Sequence, residues 1–416
     1  MKINYLYNPE IIIPDFLLKK IDIEELTVGE NLLPEINKYL NINSARILLL
    51  CDRNTYEAAG RTVQQVMSEN NEVRCLVLDA DIHCDLENVN TTENSVNSAD
   101  TLIAVGSGTI NDIGRLVADR KKIDFYSVGT APSMDGYLSA NSSIIENGVK
   151  ISHSGIKPAV KVIIDLDVMK RAPYRMFLSG IGDSVSKITS VFDWQLDVLI
   201  RKGSFNPEAA YLLNQSVLRL ISVLLDEEKK TQTETLIEFL LLSGAVMNAE
   251  KNSQPASGGE HLIGHVLEMF DLKMNNKNHS HHGEKVAVST YTVFRKYSEF
   301  FSAFIENIIM PGIEEDYFRQ WDEYGIRINR DVFRTKLKQI AAFDFTDYDF
   351  QKKINEGMDF ISSLKILFFR LYERYNLPND NSSINVTNSD WDFALFHAGD
   401  LRERITGLDL INSIGK

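Results

Sequence analysis

The sequence predicts an α/β domain built on a parallel sheet, followed by an all-helical domain, and three observations carry that expectation. Short, continuous apolar runs of strand length alternate with helical stretches through the first 170 residues. Those runs then stop. From Pro173 to Tyr375 the apolar residues recur with helical spacing almost throughout, as in ITSVFDWQLDVLI, PEAAYLLNQSVLRLISVLLDE, TLIEFLLLSGAVMNAE and KVAVSTYTVFRKYSEFFSAFIENII. Alternating strands and helices bury both faces of a parallel sheet, whereas a series of helices packs as a bundle. The boundary is expected near residue 170, giving domains 1–170 and 171–416.

After a segment of about 43 residues that caps the domain, the first strand is ARILLLC, from Ala45 to Cys51, followed by the helical DRNTYEAAGRTVQQVMSEN. A second run covers Cys75 to Leu78. A third, Thr101 to Val105, leads into GSGTINDIGRLVADR; a fourth covers Phe125 to Val128, and a fifth Lys161 to Ile164. In open sheets of this kind ligands bind beyond the carboxyl ends of the strands. The polar piece at 226–235 reads as a solvated connection, 376–390 as a surface loop, and WDFALFHAGDLRERITGLDLI as a final amphipathic helix with His397 and Arg404 in structural roles.

Composition excludes several function classes. At 416 residues with 44% hydrophobic content the chain can bury two cores, and its net charge of −14 disfavours nucleic acid or an anionic membrane as a partner. An anionic substrate would need a locally placed cation. Cys51, Cys75 and Cys84 show no CxxC spacing, so neither a disulfide framework nor a zinc ribbon is indicated and a cytoplasmic setting is expected. No targeting signal is read, and no run approaches the roughly 18 apolar residues of a membrane span.

Two regions carry chemistry. Gly106, Ser107, Gly108 and Thr109 end a strand and open a helix, where glycines admit a close pyrophosphate and free N–H groups with the helix dipole favour its charge. The third glycine of the usual dinucleotide fingerprint is absent, since Asn111 and Asp112 follow, so a plain tight turn is the alternative. Asp52, just past a strand, suits an adenosine ribose and would repel a 2′-phosphate; its alternative is a helix N-terminal aspartate. Thr130, Ser133 and Ser139 suit a loop against a flat ligand, and Asp135 lies between Met134 and Gly136 where it can reach the pocket, unless Asp-Gly is simply a turn.

The second region is SGGEHLIGHVLEMF with NHSHHGEKV, from Ser257 to Lys285. Ser257 and Glu260 have capping-box spacing, predicting a helix that carries His261 and His265 one turn apart on one face. His279, His281 and His282 follow after a polar loop. Upstream, Asp183 in SGIGDSVSK sits where a glycine-containing turn would lead into another helix. One carboxylate and two imidazoles give a divalent metal three protein ligands and leave positions open, the pattern of a catalytic site.

These pieces, in this order from about residue 45 to 411, make the chain resemble the metal-dependent superfamily of glycerol dehydrogenase, iron-type alcohol dehydrogenases and dehydroquinate synthase. The chain is most similar to the sn-glycerol-1-phosphate dehydrogenase family in its bacterial form, through TAPSMDGY and GDSVSK. The resemblance implies a dehydroquinate synthase-like fold, with a Rossmann-like nucleotide domain before a helical metal-binding one. It implies that Asp183, His261 and His282 bind the metal, that Asp52, Gly106 to Thr109, Asp112, Thr130 and Ser133 hold NAD or NADP, and that Asp135 contacts substrate. His265 matches a position beside the reacting centre, and Lys187 offers a cation to a phosphate or a salt bridge to a carboxylate. Iron-type alcohol dehydrogenases place a third histidine where Lys187 stands, and dehydroquinate synthases use glutamate where Asp183 stands, so three ligands and a reductase rather than a lyase are implied. The expected reaction is reversible reduction of dihydroxyacetone phosphate to sn-glycerol 1-phosphate, with zinc, nickel or iron as the metal, in a homodimer serving lipid synthesis. A polyol or alcohol dehydrogenase and a dehydroquinate synthase-like lyase are the alternatives.

Overall fold

The computed structural model describes residues 1–226, 231–274, 280–304 and 315–412. By its contacts the chain divides into two compact units, Met1–Ser184 with Glu228–Ser253, and Val185–Glu227 with Gln254–Lys416.

The first unit carries the strands β1 (Lys2–Tyr5), β2 (Glu25–Gly29), β3 (Arg46–Asp52), β4 (Glu72–Leu78), β5 (Thr101–Gly106), β6 (Asp124–Gly129), β7 (Asn141–Glu146), β8 (Val149–Ser154) and β9 (Lys161–Asp165). Seven form one sheet in the order β1-β2-β9-β6-β5-β3-β4, with every neighbouring pair parallel. Leu49, Cys51, Ile103 and Val105 project into one apolar cluster with Ile36, Val63 and Met67, while their alternates Leu48, Leu50, Leu102 and Ala104 are buried on the other face. Burial on both faces is why these strands read as unbroken apolar runs. All five expected strands are present. Two more, β1 and β2, lie in the segment expected only to cap the domain; KINY and ELTVG are too short and mixed to stand out as strands. The pair β7–β8 is an antiparallel hairpin closed by Asn147 and Gly148, both at positive φ as a two-residue hairpin turn requires.

Helices that position chemistry are α1 (Gly108–Lys121), α2 (Tyr174–Val185), α3 (Lys187–Arg201), α4 (Gln232–Glu250), α5 (Gly259–Lys273), α6 (His282–Phe304), α7 (Asn388–His397) and α8 (Gly407–Asn412). The expectation draws one boundary near residue 170; by contacts, α2 as far as Ser184 and the whole of α4 group with the sheet. Helical periodicity marks both as helices and is silent about which core they enter. Every regular element among the described residues of the second unit is helical, and no helix of the described residues is long and apolar enough to cross a membrane.

The amino-terminal segment is fastened to α4 by one buried carboxylate. Glu238 accepts the Tyr7 hydroxyl at 2.8 Å and the backbone N–H groups of Glu10 and Ile11 at 3.0 and 2.9 Å. Burial outweighs these bonds and raises its carboxyl from 4.5 to about 7. A carboxyl raised on folding binds its proton more tightly in the native state, so its contribution is fully present below pH 4.5 and is lost as pH rises through about 7. Glu238→Gln should therefore flatten the fall in unfolding free energy between pH 5 and pH 8. Denaturant titrations at the two pH values measure it, and an unchanged slope contradicts the assignment.

In the second unit the expected continuous final helix is broken. After α7 come a 3₁₀ turn at Ala398–Leu401, an irregular stretch with bends at Glu403 and Arg404, and then α8. Two buried carboxylates of α3 draw the chain out of helix: Asp197 accepts the N–H of Ile405 and Asp193 that of Gly407, at 2.7 and 2.8 Å. His397 is held between Asp400 and Gln320, each at 3.0 Å, and Arg404 donates to the Ser257 carbonyl, structural roles for both.

Candidate functional site

In the sheet unit the candidate nucleotide residues gather at the carboxyl ends of β3, β5 and β6. The chain passes outward from β3 to β4 and then returns to the other side of β3 as β5, so the β3/β5 boundary is a topological switch point, where such sheets bind ligands. At Gly106 a Cβ would lie 2.5 Å from the Cβ of Ile110, so only glycine lets the strand turn so close to its own helix. Ser107 does not cap α1; its hydroxyl instead lies 2.6 Å from that of Ser133, fastening this turn to the loop after β6. The first intrahelical bond runs from the Asn111 N–H to the Ser107 carbonyl at 2.9 Å. The N–H groups of Gly108, Thr109 and Ile110 precede it and are the ones a helix leaves for an outside acceptor. A Cβ on Gly108 would meet only Met134, at 3.5 Å, so no packing demands a glycine there. This uncapped end fits a pyrophosphate.

Two of the other nucleotide candidates have local work. Asp52 caps the short helix Arg53–Thr55, its carboxylate accepting the Thr55 N–H at 2.8 Å, and burial raises its carboxyl above the ordinary aspartate range. Asp112 receives Arg115 at 3.1 Å and the Ser143 N–H at 3.0 Å, tying α1 to β7. Thr130 and Ser133 are buried on the loop after β6.

That loop is set by two helices whose Ser-Gly pairs face it. A Cβ on Gly180 of α2 would stand 1.8 Å from the Pro132 carbonyl oxygen, and one on Gly244 of α4 2.3 Å from that of Asp135. The neighbouring serines donate to the loop, Ser179 to the Ser133 carbonyl at 3.3 Å and Ser243 to the Asp135 carboxylate at 2.7 Å. Asp135 in turn donates its N–H to the Asp183 carboxylate at 3.0 Å. Asp183 is buried and lies within α2, not in the glycine-containing turn expected, because Gly180 serves close packing there instead of ending a helix.

In the helical unit His261 and His265 project from α5 with ring centroids 6.3 Å apart, and His282, the first residue of α6, lies 5.4 and 5.8 Å from them. His279 lies outside the described residues. The expected Ser257–Glu260 capping box does not form. Gly258 is the residue before α5, and Glu260 accepts the Gly258 N–H at 2.7 Å, the Thr189 hydroxyl at 2.8 Å and the Nδ1 of His261 at 3.0 Å. Asp193 and Glu260 approach this turn so closely that a Cβ on Gly258 would lie 2.5 and 2.8 Å from their oxygens. Burial acts to raise the Glu260 carboxyl, but the His261 partnership and the Gly258 N–H hold it below the usual range. Burial and the neighbouring Glu260 charge push Asp193 up to about 8.

Glu268 is the second carboxylate that composition and spacing do not single out. It receives Nδ1 of His282 at 2.7 Å on one oxygen and Nδ1 of His265 at 3.2 Å on the other. A carboxylate oxygen can only accept, so Nδ1 donates from each of the three rings, and in His261 and His282 Nε2 is the nitrogen that a metal would take. Metal-bound histidines are backed in this way, which fits His261 and His282 to a divalent metal. The available signal was spacing alone: a glutamate one residue before a helical histidine (Glu260, His261) and another three residues after one (His265, Glu268) are within reach of those imidazoles. Lys187 opens α3 and is fully buried, at a helix end whose dipole disfavours a cation.

Comparison with known proteins places these residues in context. Residues 27–173 match a family model described as iron-containing alcohol dehydrogenase. The glycerol-1-phosphate dehydrogenase [NAD(P)+] of Bacillus subtilis (strain 168) is 34% identical over 291 residues, 67% of this chain and 73% of the relative. That of Bacillus licheniformis is 30% identical over 406 residues, 95% and 90% of the two chains. Among solved structures, maleylacetate reductase from Agrobacterium tumefaciens has the same fold, with a TM-score of 0.59 at 13% identity, covering 98% of this chain and 97% of that one.

Proposed function

Since this chain belongs to the glycerol-1-phosphate dehydrogenase family, we propose that it catalyses the reversible, NAD(P)H-dependent reduction of dihydroxyacetone phosphate to sn-glycerol 1-phosphate at a divalent metal. The observation that supports this reading most is the pair His261 and His282, each backed on Nδ1 by a glutamate. Together with Asp183 they supply the oxygen-and-nitrogen donor set that zinc, nickel and iron all accept. When bound, such a cation polarises a ketone oxygen and stabilises the charge that develops on it.

Reduction requires a hydride at the carbonyl carbon, which the nicotinamide donates, and a proton at the oxygen. His265 or a water relay delivers that proton; from His265 it leaves Nε2 of the imidazolium, whose Nδ1–H stays on Glu268. The turn Gly106 to Thr109 holds the pyrophosphate, Thr130 and Ser133 line the nucleotide, and Asp52 meets the ribose from its capping position. Asp135 contacts substrate, and Lys187 is the candidate cation for its phosphate. The enzyme works in the cytoplasm as a homodimer in this reading, as the family resemblance implies.

Two measurements test the reading. The protein is stripped with chelator, reloaded separately with zinc, nickel or iron(II), and NADH absorbance is followed with dihydroxyacetone phosphate and with dihydroxyacetone. Oxidation that requires metal and favours the phosphate ester is expected; equal turnover of both ketones moves the assignment to a polyol dehydrogenase. Gly108→Val tests the nucleotide turn. The added Cβ makes only an ordinary contact with Met134, so thermal stability and metal retention should be unchanged while the nucleotide KM rises about tenfold or more, close to 1.4 kcal/mol of lost binding. An unaltered KM contradicts the pyrophosphate assignment.

A further inference from the structure

We propose that Glu268 is a positioning residue shared by the metal ligand His282 and the proton donor His265, one carboxylate holding the Nδ1–H and the ring direction of both. Glu268 stands three residues after His265, one turn along α5, and its side chain is mostly withdrawn from solvent. Its two oxygens divide between the rings, Oε1 to Nδ1 of His282 at 2.7 Å and Oε2 to Nδ1 of His265 at 3.2 Å. The two imidazoles lie nearly parallel, 23° between planes, with centroids 5.8 Å apart. His261 is held separately, by Glu260.

The consequence is chemical. If either ring turned over, Nε2 would leave the side on which it coordinates or donates, and Glu268 opposes both turns at once. A metal ligand whose outer nitrogen is hydrogen-bonded to a carboxylate is also a better donor, and loss of such a partner weakens metal binding by about 10- to 100-fold. The same loss removes the carboxylate that stabilises the His265 imidazolium, the form that keeps Nδ1–H while Nε2 gives up its proton, and lets the ring turn. Glu268 could instead be a metal ligand itself, since donor atoms of His265, Glu268 and His282 lie within 4.8 Å of one another. The short contact to the protonated Nδ1 of His282 favours the positioning role, because a carboxylate oxygen taken by an N–H is poorly placed to coordinate as well.

Only the turnover arm of the test rests on the proposed ketone reduction; the metal arm stands without it. Stripped wild-type protein and E268Q are titrated with cobalt(II) and zinc(II) against a chromogenic chelator. The glutamine oxygen can accept one ring N–H, but its NH2 group, a donor only, can accept none. Metal affinity should fall about 10- to 100-fold while the visible spectrum of the cobalt form keeps its shape. Unchanged affinity overturns the proposal, and a spectrum showing a changed coordination number makes Glu268 a ligand. E268D retains the charge but is one methylene shorter, so it should lose affinity too; full recovery would mean that charge, not the span between rings, is what matters. At saturating metal, E268Q should lower turnover of wild-type protein but have no further effect on H265N, whereas its effect on metal affinity should persist in H265N. Equal turnover losses in the two backgrounds overturn the shared role. If wild-type protein fails to reduce dihydroxyacetone phosphate at all, the functional reading falls and the affinity and spectra still decide the role of Glu268.

Discussion

His261→Ala is expected to abolish metal retention and to lower turnover by about 10³-fold or more. Lewis-acid stabilisation of the developing charge is worth several kcal/mol, and each 1.4 kcal/mol is about a factor of ten in rate. The ring is buried, backed by a buried glutamate, and adjacent to His282, so its removal takes away a prepared ligand and leaves Glu260 without its imidazole partner. Asp183→Asn should act in the same direction while preserving shape, because an amide oxygen is a much weaker ligand than a carboxylate. Metal content after gel filtration and turnover with added metal measure both. Full activity in metal-free protein contradicts the ligand assignment.

Gly180→Ala should be the most damaging single methyl group in the sheet unit. The new Cβ would lie 1.8 Å from the Pro132 carbonyl oxygen, which is backbone and cannot rotate aside. Either α2 or the loop after β6 must move. Overpacking of a well-filled core costs about 1–3 kcal/mol and sometimes more, and an immovable contact belongs at the upper end. The displacement would also separate groups proposed for catalysis, since that loop carries Ser133 and Asp135 and α2 carries Asp183, joined by the Asp135–Asp183 bond. Misplacement by about 1 Å can cost about 100-fold in rate, so activity should fall even in the folded fraction. Gly203→Ala, where the added methyl meets only Val198 at 3.6 Å, is the control and should change stability by less than about 0.5 kcal/mol. Denaturant unfolding of both variants separates the cases; a Gly180→Ala protein as stable as the control contradicts the close approach.

Much of this architecture was legible in the chain. The five central strands declare themselves because burial on both faces makes them continuous apolar runs, and the turn at Gly106 because strand, glycine and helix follow in order. Strands β1 and β2 did not, being short and mixed in polarity. The grouping of α4 with the sheet was equally hidden: helical spacing identifies a helix, whereas its partner depends on contacts between residues more than a hundred positions apart, such as Asn248 with Leu138 and Glu238 with Tyr7. In the candidate site the histidines were visible by type and spacing. Their carboxylate partners were not, because Glu260 carries the signature of a capping box and Glu268 that of an ordinary helical glutamate. The small residues of α2 and α4 illustrate a third kind of silence, since Ser-Gly in an apolar helix announces a close approach without saying to what.

The stereochemistry of the product tests the central claim most directly. Metal-loaded protein is incubated with NADH and dihydroxyacetone phosphate, and the glycerol phosphate formed is offered to an enzyme that oxidises only the sn-3 enantiomer. The account predicts metal-dependent NADH oxidation yielding sn-glycerol 1-phosphate, which that enzyme leaves untouched. Formation of the sn-3 enantiomer, or no oxidation with any of the three metals while nucleotide still binds, would contradict it.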